Sequence, residues 1–139
     1  MKYINQQILE KYIQPEELIR LTDDENTGSV NSERLNKAIE DAESEFESYL
    51  RGVYDEALPS PLPDMLVQII CDITIYNLYK RRMRLDMPES IIKIYEDAVD
   101  KLLKIRKGLI SIIERDEDDG FIKINKDVSS RIFPINDIL

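Results

Sequence analysis

Apolar residues recur at helical spacing along most of this chain. Between Asn31 and Tyr54 they fall at Leu35, Ala38, Ile39, Ala42, Phe46, Tyr49, Leu50 and Val53, always one, three or four residues apart. That stripe predicts a long amphipathic helix, capped by Asn31 or Ser32 and running to about Tyr54. Its other face carries Glu40, Asp41, Glu43, Glu45 and Glu47, and is expected to be solvated or to meet something basic. A second long helix is expected from Asp64 to about Met83. Met65, Leu66, Val67, Ile69, Ile70, Cys71, Ile73, Ile75, Tyr76, Leu78 and Tyr79 leave it almost no polar face. A helix apolar nearly all round is central in its domain or shared with a neighbouring subunit. A third stripe, Ile91, Ile92, Tyr95, Ala98, Val99, Leu102 and Ile105, predicts a helix from Pro88 and Glu89 to about Lys107. Gly108 then supplies the left-handed residue that follows many helix ends.

Two short helices open the chain. Asn5 is placed to cap a segment bearing Ile8, Leu9 and Tyr12. Pro15 suits a first helical turn, and Glu16 and Glu17 favour the positive helix end beside it. The second short helix carries Leu18, Ile19 and Leu21, then stops in TDDENTGSVNS. Leu58-Pro59-Ser60-Pro61-Leu62-Pro63 reads as a stiff spacer between helices, because alternating prolines fix φ and remove donors.

Beyond Gly108 the pattern changes. Leu109 to Ile113 is apolar and β-branched, ERDEDDG is an acidic turn, and Phe121 to Ile124 alternates. Two short strands there would pair as a hairpin. The tail adds Ile132, Phe133, Ile135, Ile138 and Leu139, which need a surface to bury them. The expected fold is therefore all-α: a small bundle of two short and three long helices over residues 1–108. A C-terminal arm over 109–139, with a short β-hairpin, completes it.

Charge refines this picture. The 139 residues carry a net charge of −9 and no histidine. Residues 1–60 hold −8, residues 61–109 hold +2 and residues 110–139 hold −3. The missing histidine removes Ser-His-Asp and Cys-His catalysis and histidine-ligated metals. The net charge disfavours nucleic acid, whose binding needs cations to displace phosphate counterions. A lone cysteine, Cys71, excludes an intrachain disulfide and reads as a small core residue. The start, MKYINQQILEKYI, is too polar for a signal peptide, and no apolar run approaches a membrane span. The chain is expected in the cytoplasm when made.

The loop after the second short helix imitates a calcium site. From Asp23 it offers Asp23, Glu25 and Thr27 at alternate positions and Gly28 at the turn, as an EF-hand loop does. The position that should hold a bidentate carboxylate holds Arg34. A cation there opposes metal binding, and the loop reads instead as an Asx turn that caps the next helix. The carboxylates of the 40–47 face are exposed on one helix, whereas acid–base work needs two carboxyls in different environments within a cleft. The group Lys80, Arg81, Arg82 and Arg84 allows three readings: helix capping with salt bridges inside the chain, docking to an acidic face of another subunit, or phosphate contact.

Taken in order, these features resemble a known family. MKYINQQILEKYIQPEELIRLTD, a glycine-containing turn, LNKAIEDAESEFESYLRGVY and a proline-rich link are similar to the small head–tail connector proteins of Mu-like phages and prophages. LVQIICDITIYNLYKRRM resembles that family's central helix, with Cys71-Asp72-Ile73 and Tyr79-Lys80-Arg81-Arg82 in matching places. IYEDAVDKLLKIRKGLIS with Gly108, and the Arg131-x-Phe133 ending, fit as well. The resemblance implies a non-enzymatic neck adaptor without cofactor. About twelve copies would form a closed ring between the portal at the head vertex and the head-closure or tail proteins. It implies a place in the virion neck, reached from the host cytoplasm, with no membrane as partner; nucleic acid is disfavoured by the net charge. The acidic helix and the basic helix end suit a head-to-tail contact. The expected interface set is Glu40, Glu43, Glu47, Lys80, Arg81, Arg82 and Arg84, with Arg131 and Phe133 of the arm. The competing reading is a small DNA-binding or packaging-associated phage protein that uses the Lys80–Arg84 cluster.

Overall fold

Local chemistry sets most helix boundaries in the computed structural model, which describes residues 3–53, 58–59, 61–82 and 87–110. Helix α1, Gln6–Leu9, starts where the Asn5 side chain accepts a hydrogen bond from the Ile8 N–H at 2.9 Å. Helix α2, Pro15–Thr22, has proline in its first turn beside Glu16 and Glu17. Helix α3, Ser32–Leu50, is capped by Asn31, which accepts from the Arg34 N–H at 3.0 Å. It ends earlier than the apolar stripe predicts, because Gly52 adopts φ 87° and turns the chain away. Helix α4, Asp64–Arg81, starts after Pro63 and also stops short of its expected end. Helix α5, Glu89–Arg106, ends at a left-handed Gly108 with φ 82°. There Leu109 N–H donates to Lys104 C=O at 2.8 Å and Gly108 N–H to Ile105 C=O at 3.0 Å. Both bonds satisfy carbonyls that the helix leaves open.

The described residues form helices and no strands. The expected hairpin and tail, with Arg131 and Phe133, lie outside them, as does Arg84.

Helix α4 is the centre. It packs on α3 and α5, with α2 across its C-terminal part. The pairs that meet fix the directions. Asn77 donates its side-chain N–H to Ala38 C=O at 3.3 Å, and Arg34 and Arg81 both reach Asp24, so α3 and α4 run antiparallel. Tyr76 stacks on Tyr95 with ring centroids 4.0 Å apart, and Asp72 lies near Lys101, so α4 and α5 also run antiparallel. Of the two expectations for an all-apolar helix, the structure shows the first: α4 is buried within its own chain. Leu66, Ile69, Ile70, Ile73 and Leu78 are buried there against Phe46 and Ile39 of α3 and Leu102 of α5. Leu58 and Leu62 of the proline-rich link pack against this core, as its spacer role requires.

Polar groups on α4 are handled individually. The Thr74 hydroxyl donates to Ile70 C=O at 2.8 Å, so its burial is satisfied. The Cys71 thiol is pushed up to about 12 by burial, which removes it as a nucleophile at neutral pH. Asp72 is half-buried, and desolvation pushes its carboxyl up to about 6, with Lys101 pulling down and Asp97 pushing up. No helix among the described residues is long and apolar enough to cross a membrane.

Two measurements test this packing. Leu78→Ala, at a fully buried site, is expected to lower unfolding free energy by about 2–5 kcal/mol in urea titrations. For Asp72 the folded state raises the pKa, so the native chain holds the proton more tightly than the unfolded chain. Stability from this group is present below about pH 4 and is lost as pH rises through about 6. Asp72→Asn is expected to remove that loss, so the variant gains on the parent between pH 5 and 7 when melting is followed across that range.

Candidate functional site

The end of the bundle where α2 stops concentrates charge. Helix α2 ends at Thr22, leaving its last carbonyls without intrahelical donors. Three arginines from other elements supply them. Arg82 donates to Arg20 C=O at 3.0 Å, Arg81 to Leu21 C=O at 2.7 Å, and Arg34 to Thr22 C=O at 3.0 Å. The same guanidiniums converge on the next carboxylates. Asp24 accepts from Arg81 at 2.8 Å and from Arg82 at 3.1 Å, with Arg34 at 3.6 Å. Glu25 receives Arg34 through two bonds of 2.7 Å. The bond from Arg81 is the main cause that holds the Asp24 carboxyl below its usual range, and the bond from Arg34 does the same for Glu25.

The loop that imitates a calcium site uses its oxygens on its own backbone. The Asp23 carboxylate accepts from Thr27 N–H at 2.8 Å, the Thr27 hydroxyl at 3.0 Å and Gly28 N–H at 2.7 Å. Those donors, the Thr27 N–H first, keep its pKa low. Gly28 takes φ 84°, as the turn reading requires. Arg34, at the position where a calcium loop needs a carboxylate, is bonded to Glu25. Among the described residues, no group of three or more His, Cys, Asp or Glu is arranged to hold a metal ion.

A second ion pair steadies α2 against α4. Glu17 pairs with Arg20, and the Tyr79 hydroxyl donates to Glu17 at 2.6 Å. Arg20 also lies over the Tyr79 ring, 5.7 Å from its centroid. Arg20, with a smaller contribution from Tyr79, holds Glu17 below the usual carboxylate range.

The acidic face of α3 differs from the expected solvated face. Glu43 is buried, at 3% exposure. Its carboxylate accepts from Tyr3 N–H at 2.7 Å and Ile4 N–H at 3.1 Å. The Tyr3 hydroxyl donates to Glu47 at 2.7 Å, and the Tyr95 hydroxyl to Glu45 at 2.7 Å. The N-terminal segment therefore lies on this face, with the Tyr3 ring edge-on to Phe46 at 5.7 Å. Burial, then the bond to Glu47, pushes the Tyr3 phenol up to about 12. Glu40 and Asp41 stay exposed, and Asp41 pairs with Lys37 at 2.9 Å.

Of the residues expected at a subunit contact, Arg81 and Arg82 are thus bound to α2 and its loop, and Glu43 and Glu47 to Tyr3. Glu40 and Lys80 lie exposed on the surface. The sequence reading paired neither Asp24 nor Glu25 with the arginines. The signal was the run Asp23-Asp24-Glu25 directly after the end of α2, opposite a cation-rich helix end. A cleft of about 360 Å³ between α3 and α4 is lined by Glu33, Arg34, Lys37, Ala38, Asp41, Asn77 and Arg81. Each cation on its wall is paired with an acid of this chain. The arrangement locks helices and displays mixed charge.

A model of the Bacteriophage Mu, Gp36 family matches residues 3–122, which includes every helix described above. The Mu-like prophage FluMu protein gp36 of Haemophilus influenzae is 32% identical over 91 residues, covering 66% of this chain and 61% of that protein. The matched part of this chain thus spans less than two thirds of that relative.

Removing the two internal carboxylate anchors should have separable effects. Glu43→Ala leaves two backbone N–H groups without their acceptor and is expected to cost about 1–3 kcal/mol in chemical denaturation. Asp24→Asn is expected to lower the melting temperature more than Lys37→Ala, because it strips counter-charge from three arginines and not from one carboxylate.

Proposed function

Because the chain belongs to the Bacteriophage Mu, Gp36 family, we propose that it is a non-enzymatic structural protein of the phage neck. In this reading, copies close into a ring of about twelve that joins the portal at the head vertex to the tail. The observation that carries the reading is the family match over residues 3–122, which takes in all five described helices. The build of that body supports it. A central helix buried inside its own chain and a second short helix pinned by three arginines give a rigid block. Rigid blocks with charged surfaces of both signs suit repeated head-to-tail contacts, which close when the rotation permits.

Bonds within the chain bear on which charges would be available for such a contact. Arg81 and Arg82 hold α2, and Glu43 is buried under the N-terminal segment. Of the expected set, Lys80 lies exposed at the end of α4, and the contact is proposed to use it. The same engagement of Arg81 and Arg82 weakens the alternative of DNA binding through this cluster, since phosphate would have to compete with Asp24 and the α2 carbonyls. The virion neck, reached from the host cytoplasm, is the corresponding location, and the portal and head-closure or tail proteins are the partners.

Co-expression with the portal protein of the cognate phage tests this. Electron microscopy of the purified complex is expected to show a ring of this protein seated on the portal. Lys80→Glu is expected to reduce ring occupancy while circular dichroism and melting stay near the parent values. Portal particles that never acquire the added density would overturn the reading.

A further inference from the structure

Helix α5 presents two stripes, and the bundle uses one. Ala98, Leu102 and Ile105 are buried against the core. The line one residue further on, Ile92, Glu96, Val99 and Leu103, is turned about 100° around the same helix. Ile92 and Leu103 are each 38% exposed and Val99 is half-buried. Continued at the same three- and four-residue spacing, the line begins at Glu89 and ends at Arg106, both exposed.

We propose that this stripe docks antiparallel onto the same stripe of a second copy of the chain, as a two-fold contact. The charge pattern argues for that occupant and that direction. When Ile92 faces Leu103 of the second copy, Glu89 faces Arg106 of the second copy. Lys93, on the flank of the stripe, then comes level with Asp100 of the second copy. The symmetry repeats each pair, so opposite charges flank an apolar centre at both ends. Glu96 lies against Val99 of the second copy, covering it with its methylene stem while its carboxylate stays at the rim. A parallel alignment would set Glu89 against Glu89 and Arg106 against Arg106, which repel.

This contact goes beyond the neck reading. A ring closes through two different surfaces and forms on a template, whereas this stripe pairs with itself and needs no portal. With few apolar side chains on each copy, the contact belongs with small, reversible interfaces of below about 1,200 Å².

Sedimentation equilibrium of the full chain over a range of concentrations tests it, with the portal absent. A monomer–dimer equilibrium is expected. Glu89→Arg and Arg106→Glu are each expected to weaken the dimer by about tenfold, and the two together to restore it, because the pair is only exchanged. Leu103→Glu is expected to leave monomer with an unchanged circular dichroism spectrum. A chain that stays monomeric at every concentration would overturn the proposal; that result includes the case in which its own residues 111–139 cover the stripe. So would an oligomer indifferent to all three variants, or a double variant weaker than either single one. Portal-seated rings are read separately, so loss of the dimer with rings intact rejects this contact and leaves the neck reading standing.

Discussion

Helix α4 has almost no polar face, and covering its apolar sides is the constraint that shapes the molecule. Nine of its eighteen residues, Asp64–Arg81, are buried, and the helix packs on α3, α5 and α2 at once. Two long amphipathic helices cover most of it, each giving one stripe. What they leave open is closed by α2, which is too short to hold itself there by propensity alone, since isolated helices of that length are marginal in water. Its position depends on Leu18 and Leu21 in the core, and on the arginines that complete its last turn.

Those arginines do two tasks with one set of atoms. Arg81 ends the central helix and Arg82 follows it, where a cation meets the negative helix end. By reaching across to α2 they also satisfy a second helix's open carbonyls and meet Asp24. Arg34 completes the arrangement from the first turn of α3. Three elements distant in sequence are thereby tied at a single carboxylate. Exposed pairs of this kind contribute little one at a time. Here the guanidiniums are only about a quarter exposed, each also bonds a backbone carbonyl, and planar forks hold direction better than ammonium groups would.

The internal use of charge bears on function. An acidic chain with a cationic helix end looks, from its sequence, equipped to pair with copies of itself through those charges. Much of that charge is already engaged: Asp24 and Glu25 with arginines, Glu43 and Glu47 with Tyr3, Glu45 with Tyr95. Lys80 and charges that border α5 lie exposed on the surface. A rigid body with selected surface charges fits an assembly protein of the Mu-like phage family better than a chain whose electrostatics were all available for contact.

Periodicity by itself determined the five helices, because burying a stripe demands a spacing that shows in the chain, and caps such as Asn5, Asn31 and Gly108 act on neighbours a few residues away. It left α4 either central or shared with a neighbouring subunit, and the ordered motifs pointed to the Mu-like phage family that the match over residues 3–122 shows. It overran the end of α3, where the stripe continues to Val53 but Gly52 turns the backbone first. It also misjudged Glu43, whose helical position is polar by pattern and buried in fact, because the covering segment comes from forty residues earlier. The partners of Arg34, Arg81 and Arg82 were equally hidden: a charge states its sign in sequence but not its neighbour. Only the packed structure decided which acid each arginine meets, because long-range pairing follows from how helices cross around α4, and that geometry has no period to read.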